Sequence, residues 1–198
     1  MAEQTVKDLK KEIYLLIHKA QSMLELSEDG FMKSKISALD EADELAKEIH
    51  AKEDVLTGTL AKIAAANSEA RQILSVPANV EKIATSIKRI SDNSRERIKE
   101  GLLFSDKAIV ETGKLFSKTK EILKKASEAA VTNAPATVEN VLNETTTLER
   151  MANDFATAHE ERLVTGECSP KASSNYLCIL YAFDDMGAYI KNAVKKLS

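Results

Sequence analysis

Two stretches of the chain carry the residue types and spacing of half a metal site. Residues 87–93 read Ile-Lys-Arg-Ile-Ser-Asp-Asn and residues 183–189 read Phe-Asp-Asp-Met-Gly-Ala-Tyr, 96 residues apart and in the same phase of two helical patterns. Acids four residues apart stand one turn apart on a helix face and can both point at one cation. Neither copy keeps both acids: Lys88 precedes Asp92, and Asp184 precedes Ala188. A charged lysine offers no lone pair to a metal; at this spacing it can pair with Asp92 instead. Upstream, Asp40, Asp43 and Glu44 either ligate a cation or form a solvated helix face among alternating charges. Asp184 and Asp185 are either a half-site or the polar edge of the last helix. Lys88 and Arg89 either attract an anion or simply face solvent.

Enzyme motifs are missing. His159-Glu160 opens like a metalloprotease helix, but position 163 is Leu, where the second histidine is required. The residues three before His18, His50 and His159 are Leu15, Lys47 and Ala156, so the Glu-x-x-His of a di-iron bundle is absent each time. Glu167 beside Cys168 disfavours a thiolate there. Six scattered glycines build no phosphate loop.

The elements that must position these residues are long helices. Six glycines, three prolines and no tryptophan in 198 residues leave a composition rich in Ala, Glu, Lys and Leu. A net charge of −3 provides no basic stripe for nucleic acid. No stretch reaches the ~18 apolar residues of a membrane span, and residues 1–8 lack the apolar core of a signal peptide. Two cysteines, Cys168 and Cys178, argue against a disulfide framework and for a reducing cytoplasm.

Apolar residues recur at spacings of three and four. The spacing predicts helices over about 4–27, 32–71, 77–104, 106–130, 135–164 and 170 to the end. Pro77, Pro135 and Pro170 open three of them, and Ser169 is the N-cap before Pro170. A turn is expected at Glu28-Asp29-Gly30, and a bend or local break at Gly58. Thr145-Thr-Thr147 is unusual inside a helix and marks a tight helix contact. Short connections require antiparallel packing. The order medium, long, proline-start occurs twice, which predicts an all-α fold of two tandem pseudo-symmetric three-helix bundles, residues 1–104 and 105–198. At the 96-residue offset Asn79/Asn175 and Ile83/Ile179 are identical, and the apolar phase of the third and sixth helices agrees. The double stripes Leu115/Phe116 and Ile122/Leu123 exceed a narrow seam and suggest a homodimer.

Laid out this way, the chain resembles the PhoU-like family of phosphate-uptake regulators, most of all the form attached to sodium/phosphate cotransporters. Asp40-Glu-Ala-Asp43-Glu-Leu-Ala-Lys-Glu-Ile49 looks like the family's second-helix signature. Ile87-Lys-Arg-Ile-Ser-Asp-Asn93 is similar to its Leu-Glu-Arg-Ile-Ser/Gly-Asp-His motif. His159-Glu-Glu-Arg-Leu-Val-Thr-Gly-Glu-Cys-Ser-Pro170 with Tyr176-Leu177 resembles the approach to the last helix, and Asp184-Asp-Met-Gly-Ala-Tyr189 stands at the second copy. The resemblance implies a cytoplasmic, non-enzymatic six-helix protein that restrains phosphate transport by docking to a transporter of the sodium/phosphate cotransporter type or to a sensor kinase, at the inner face of the membrane through that partner. It also implies metal clusters, divalent or iron-type, on acid-x-x-x-Asp pairs. In this chain those pairs have decayed to Asp92 and Asp184, with Asp40 and Glu44 upstream, and the partner acids are lost at Lys88 and Ala188. The alternatives are a metal-binding bundle and a generic helical adaptor.

Overall fold

The computed structural model describes residues 5–132 and 134–197. Among these residues there are seven α-helices and no strand: α1 Val6–Lys33, α2 Ile36–Ala64, α3 Ser68–Ile73, α4 Val76–Glu100, α5 Asp106–Thr132, α6 Pro135–Val164 and α7 Pro170–Val194. Six are long, as the periodicity predicts, and Pro135 and Pro170 open α6 and α7 as expected. Ser169 caps α7, its hydroxyl accepting from the Ala172 N–H at 3.3 Å. The expected start of the first helix at residue 4 and the final residue of the last lie outside the described residues.

Two local readings are corrected. Glu28-Asp29-Gly30 is not a turn; α1 runs on to Lys33 and ends at Ser34, which takes the left-handed conformation with φ 53°. Gly30 is there for contact. A Cβ on it would lie 2.2 Å from Leu39 Cδ2, so its bareness lets α2 fold back closely on the end of α1. The helix does not break at Gly58, which faces open solvent. It breaks at 65–67 instead, because side chains there satisfy both ends. Asn67 Oδ1 accepts from the Ala70 N–H at 2.9 Å and starts α3. Arg71 donates to the Ala64 and Ala65 carbonyls at 3.1 and 3.0 Å and closes α2.

Ion pairs give the helix directions. Lys52–Glu12 sets α1 against α2, and Arg95–Asp40 sets α2 against α4. Arg162–Glu111 does the same for α5 and α6, and Lys191–Glu149 for α6 and α7. All four pairings are antiparallel. α1, α2 and α4 pack on one another, and so do α5, α6 and α7. The two groups meet where α4 lies along α7 and α1 along α5. At the first of these seams Arg89 Nη2 donates to Asp185 Oδ2 at 2.5 Å. These residues are separated by the same 96 positions as the two motif copies. Equivalent places in two copies touch where the axis relating the copies passes between them.

One core runs through both groups. Phe31 of α1 packs on Phe116 of α5, which meets Phe183 of α7 edge-on at 5.0 Å. Leu115, Phe116, Ile122 and Leu123 are all fully buried within the single chain. The double stripe that suggested a homodimer is thus accounted for by the chain's own helices, since α5 is covered by α1, α6 and α7. Gly187 of α7 lies against α6, where a Cβ would come 2.9 Å from Glu149 Cγ and 3.5 Å from the Thr145 carbonyl oxygen. Thr145 is wholly buried, so the threonine run does mark a close helix contact. The three hydroxyls bond back to carbonyls of their own helix.

Candidate functional site

In the first helix group the motif residues line the seam between α2 and α4. α2 buries Leu39, Ala42 and Ile49, and α4 buries Ile87, Ile90, Ser91 and Ser94. Asp40 and Asp43 flank the buried stripe of α2, while Lys88, Asp92 and Arg95 follow one another along the flank of α4. The two flanks meet at Arg95. Its Nη2 donates to Asp40 Oδ1 at 3.0 Å and to Asp43 Oδ2 at 2.9 Å, and its Nη1 donates to Asp92 Oδ1 at 3.2 Å. Lys88 Nζ bonds both Asp92 oxygens at 2.8 and 2.9 Å and lies 3.7 Å from Asp43 Oδ1. Burial works against the Arg95 charge, but the bonds from Asp40 and Asp43 outweigh it and raise its pKa. Beside this cluster an open groove of about 540 Å³ is lined by Asp40, Asp43, Glu44, His50, Glu81 and Lys88.

Glu44 does not join the cluster; it is exposed and pairs with Lys47 at 2.7 Å. Arg95 is the residue the sequence reading missed. The donor set that the family resemblance implies for a metal is bonded instead to protein cations, with three carboxylates against two positive side chains. As it stands the set does not fit a metal ion, because a guanidinium occupies the meeting point of the oxygens.

The second helix group repeats the seam with weaker means. Asp184 accepts from Asn153 Nδ2 at 3.1 Å, and Lys191 Nζ donates to Glu149 Oε2 at 2.6 Å. Lys191 follows Arg95 at the same offset that separates Arg89 from Asp185, so in each group a cation at one place on the third long helix holds an acid of the second. Burial pushes the Asp184 carboxyl above the usual aspartate range, and the nearby Glu149 carboxylate adds to this. Ala188 is exposed and contributes nothing polar. Asp92 and Asp184 do not converge: Asp92 answers to α4 and Arg95, Asp184 to α6.

A second polar cluster went unnoticed in the sequence. Glu111 of α5 accepts two bonds from Arg162 of α6, at 3.1 and 2.8 Å, and a third from the Tyr176 hydroxyl of α7 at 2.7 Å. His159 packs edge-on against Tyr176 at 4.7 Å. All four residues are buried. Burial opposes the Glu111 charge, yet the bonds from Arg162 and Tyr176 hold its carboxyl below the usual range. Burial, reinforced by Arg162, pushes the His159 imidazole down. Burial and the bond to Glu111 push the Tyr176 phenol up. The signal was a phase signal. Glu111 and Thr112 occupy inward positions between Ala108 and Leu115, and Arg162 takes an inward place beside Leu163. The arrangement fastens three helices together, since Glu111 of α5 is bonded to both Arg162 of α6 and Tyr176 of α7.

A comparison of the sequence with protein-family models finds no match, and neither does a comparison with curated proteins. Solved structures do match. The fold superposes on PhoU from Pseudomonas aeruginosa with a TM-score of 0.87 at 13% identity, over 96% of this chain and 93% of that one. It superposes on the phosphate transport system regulatory protein PhoU from Streptococcus pneumoniae with a TM-score of 0.85 at 12% identity, over 97% and 92%. A PhoU-like protein from Shewanella oneidensis matches with a TM-score of 0.64 at 16% identity, over 96% and 94%. The fold implied by the resemblance in the motifs is the fold found: the chain folds as the PhoU proteins do.

Proposed function

We propose that this chain is a non-enzymatic regulator of phosphate transport that acts by docking. The observation that carries the reading is the superposition of nearly the whole chain, both helix groups included, on two PhoU structures. Fold alone does not fix function, and the local chemistry supports the same reading. His18 and His50 are exposed on separate helices, and His159 is buried against a phenol ring. The charged groups at the α2–α4 seam and in the Glu111 cluster are bonded to one another. Among the described residues no helix is long and apolar enough to cross a membrane. The partner is a phosphate transporter of the sodium/phosphate cotransporter type or a phosphate-responsive sensor kinase, met at the cytoplasmic face of the membrane. Docking of a rigid helical body shifts the partner's conformational equilibrium by as much as its affinities for the two states differ.

Affinity capture of the tagged chain from phosphate-fed and phosphate-starved cells of its own host tests the proposal. Recovery of a phosphate transporter or sensor subunit, in amounts that change with phosphate, is the expected result. Capture of neither under either condition overturns it.

A further inference from the structure

One buried nitrogen of the second helix group lacks a partner, and it shares a small cavity with a thiol. The cavity is lined by Phe104, Ser105, His159, Cys168 and Tyr176 among others. It measures about 10 Å³, close to the smallest room that admits one water-sized atom. Ser105 Oγ accepts from the Ala108 N–H at 3.2 Å, and the Tyr176 hydroxyl donates to Glu111 at 2.7 Å. His159 is 3% exposed, and its Nε2 is buried without a hydrogen-bond partner among the described residues. On the other side of the ring, Nδ1 lies 3.5 Å from Arg162 Nη2. A guanidinium only donates, so this contact makes Nδ1 the acceptor and assigns the ring proton to Nε2. Burial, reinforced by Arg162, keeps the imidazole neutral. An N–H donor without an acceptor thus lines the same cavity as the Cys168 sulfur. We infer that Cys168 is a site of oxidation by hydroperoxides to the sulfenic acid, and that His159 Nε2–H holds the single added oxygen.

The peroxide is the only co-reactant the step requires. The thiol gives its proton to water, and the thiolate is the nucleophile. Sγ attacks one peroxide oxygen, an S–O bond forms and the O–O bond breaks. The departing oxygen takes a proton from water and leaves as water or an alcohol. Sulfur loses the two electrons that the peroxide gains. Cys168 is partly exposed, which lets a small peroxide reach it. Glu167 beside it is engaged elsewhere, its Oε1 accepting from the Thr165 hydroxyl at 2.9 Å. The added oxygen supplies the acceptor that Nε2–H lacks, and a buried donor left unpaired is costly. Room for one oxygen and not two stops the oxidation at its reversible stage. The other thiol, Cys178, is exposed and lies about 12 Å further along α7 than Pro170, so it is not placed to convert the sulfenic acid to a disulfide. The site does not depend on whether the chain regulates phosphate transport.

The test exposes the full reduced chain to hydrogen peroxide, followed by dimedone trapping and mass spectrometry of the peptides that carry each cysteine. Cys168 is expected to gain one oxygen, to be trapped by dimedone and to return to the thiol with dithiothreitol. The exposed Cys178 is the internal reference and is expected to run on to the sulfinic and sulfonic acids. Nitrogen-labelled histidine in the Cys178→Ser chain, followed by NMR, is expected to show the His159 proton on Nε2 and a shift of that signal when Cys168 is oxidised. His159→Phe keeps a ring against Tyr176 and removes the donor. The Cys168 sulfenic acid is then expected to pass to higher oxides about tenfold faster, the worth of one hydrogen bond. His159→Gln presents an amide N–H in nearly the same place and restores the persistence. If His159→Phe loses its helix, the oxygen count and the histidine signal of the folded chains decide alone. Failure of Cys168 to oxidise while Cys178 reacts overturns the proposal, and so does uptake of two oxygens as readily as at Cys178. A His159 proton on Nδ1, or a signal unmoved by oxidation, does the same. So does a folded His159→Phe chain whose sulfenic acid lasts as long as the native one.

Discussion

The two helix groups share one architecture and place their charges in opposite surroundings. In the first, acids and bases meet at the half-exposed seam of α2 and α4, around Arg95. In the second, the most deeply buried of the described ionic contacts is the Glu111–Arg162 pair with Tyr176, and the seam between α6 and α7 carries Lys191–Glu149 and the bond between Asn153 and Asp184. The difference teaches that the same helix layout can fix its geometry from the rim or from the interior. A rim network is screened by water and salt. A buried pair is satisfied only while every partner is in place.

Removing one buried partner has the largest expected effect. Glu111→Ala leaves Arg162 charged and unpaired inside the protein and costs about 3–5 kcal/mol in urea unfolding. The double change Glu111→Leu/Arg162→Met restores most of that loss; a double variant as weak as the single one would show that the pair contributes more than mutual neutralisation. The pair also sets an acid limit. The folded-state pKa of Glu111 is depressed, so its contribution is complete above the ordinary glutamate value and is lost as pH falls through the lower folded value. Glu111→Gln flattens that part of the pH–stability curve.

Gly187→Ala tests whether the second group depends on close helix approach. The added Cβ has to displace Glu149, the partner of Lys191, and the overpacking costs about 1–3 kcal/mol by thermal unfolding. Replacement without loss would show that the α6–α7 contact yields easily. Arg95→Ala is expected to cost about 1 kcal/mol or less, falling further at 1 M salt because the network is partly solvated. A loss equal to that of Glu111→Ala would erase the contrast between rim and interior. The smallest effect belongs to Asp184. Its folded-state pKa is raised, so its ionisation opposes folding above that value and the penalty vanishes once pH falls below the ordinary aspartate value. Asp184→Asn therefore stabilises the protein near neutral pH, by under about 0.5 kcal/mol after solvent screening, and has no effect at low pH. A loss of stability at neutral pH would refute that sign.

The long helices were legible because their apolar spacing and their prolines are local signals. The pairing of Lys88 with Asp92 was legible for the same reason, since one turn of helix determines it. Arg95 was not, because an arginine beside Glu96 and Arg97 reads as surface until α2 is laid against it. Nor was the end of α1, where Gly30 suggests a turn and serves as a contact for Leu39. Glu111 and Arg162 showed only as polar residues in an inward phase, a signal easily lost among apolar neighbours one position away.

The ion pair of Arg89 and Asp185 has a consequence for how such a body is assembled. A residue sitting on a two-fold axis faces its own twin whenever two identical chains associate, so a separate pair of subunits can set only like against like at that spot. One polypeptide carrying both units escapes the rule, and it can station a guanidinium opposite a carboxylate at the centre of its own symmetry.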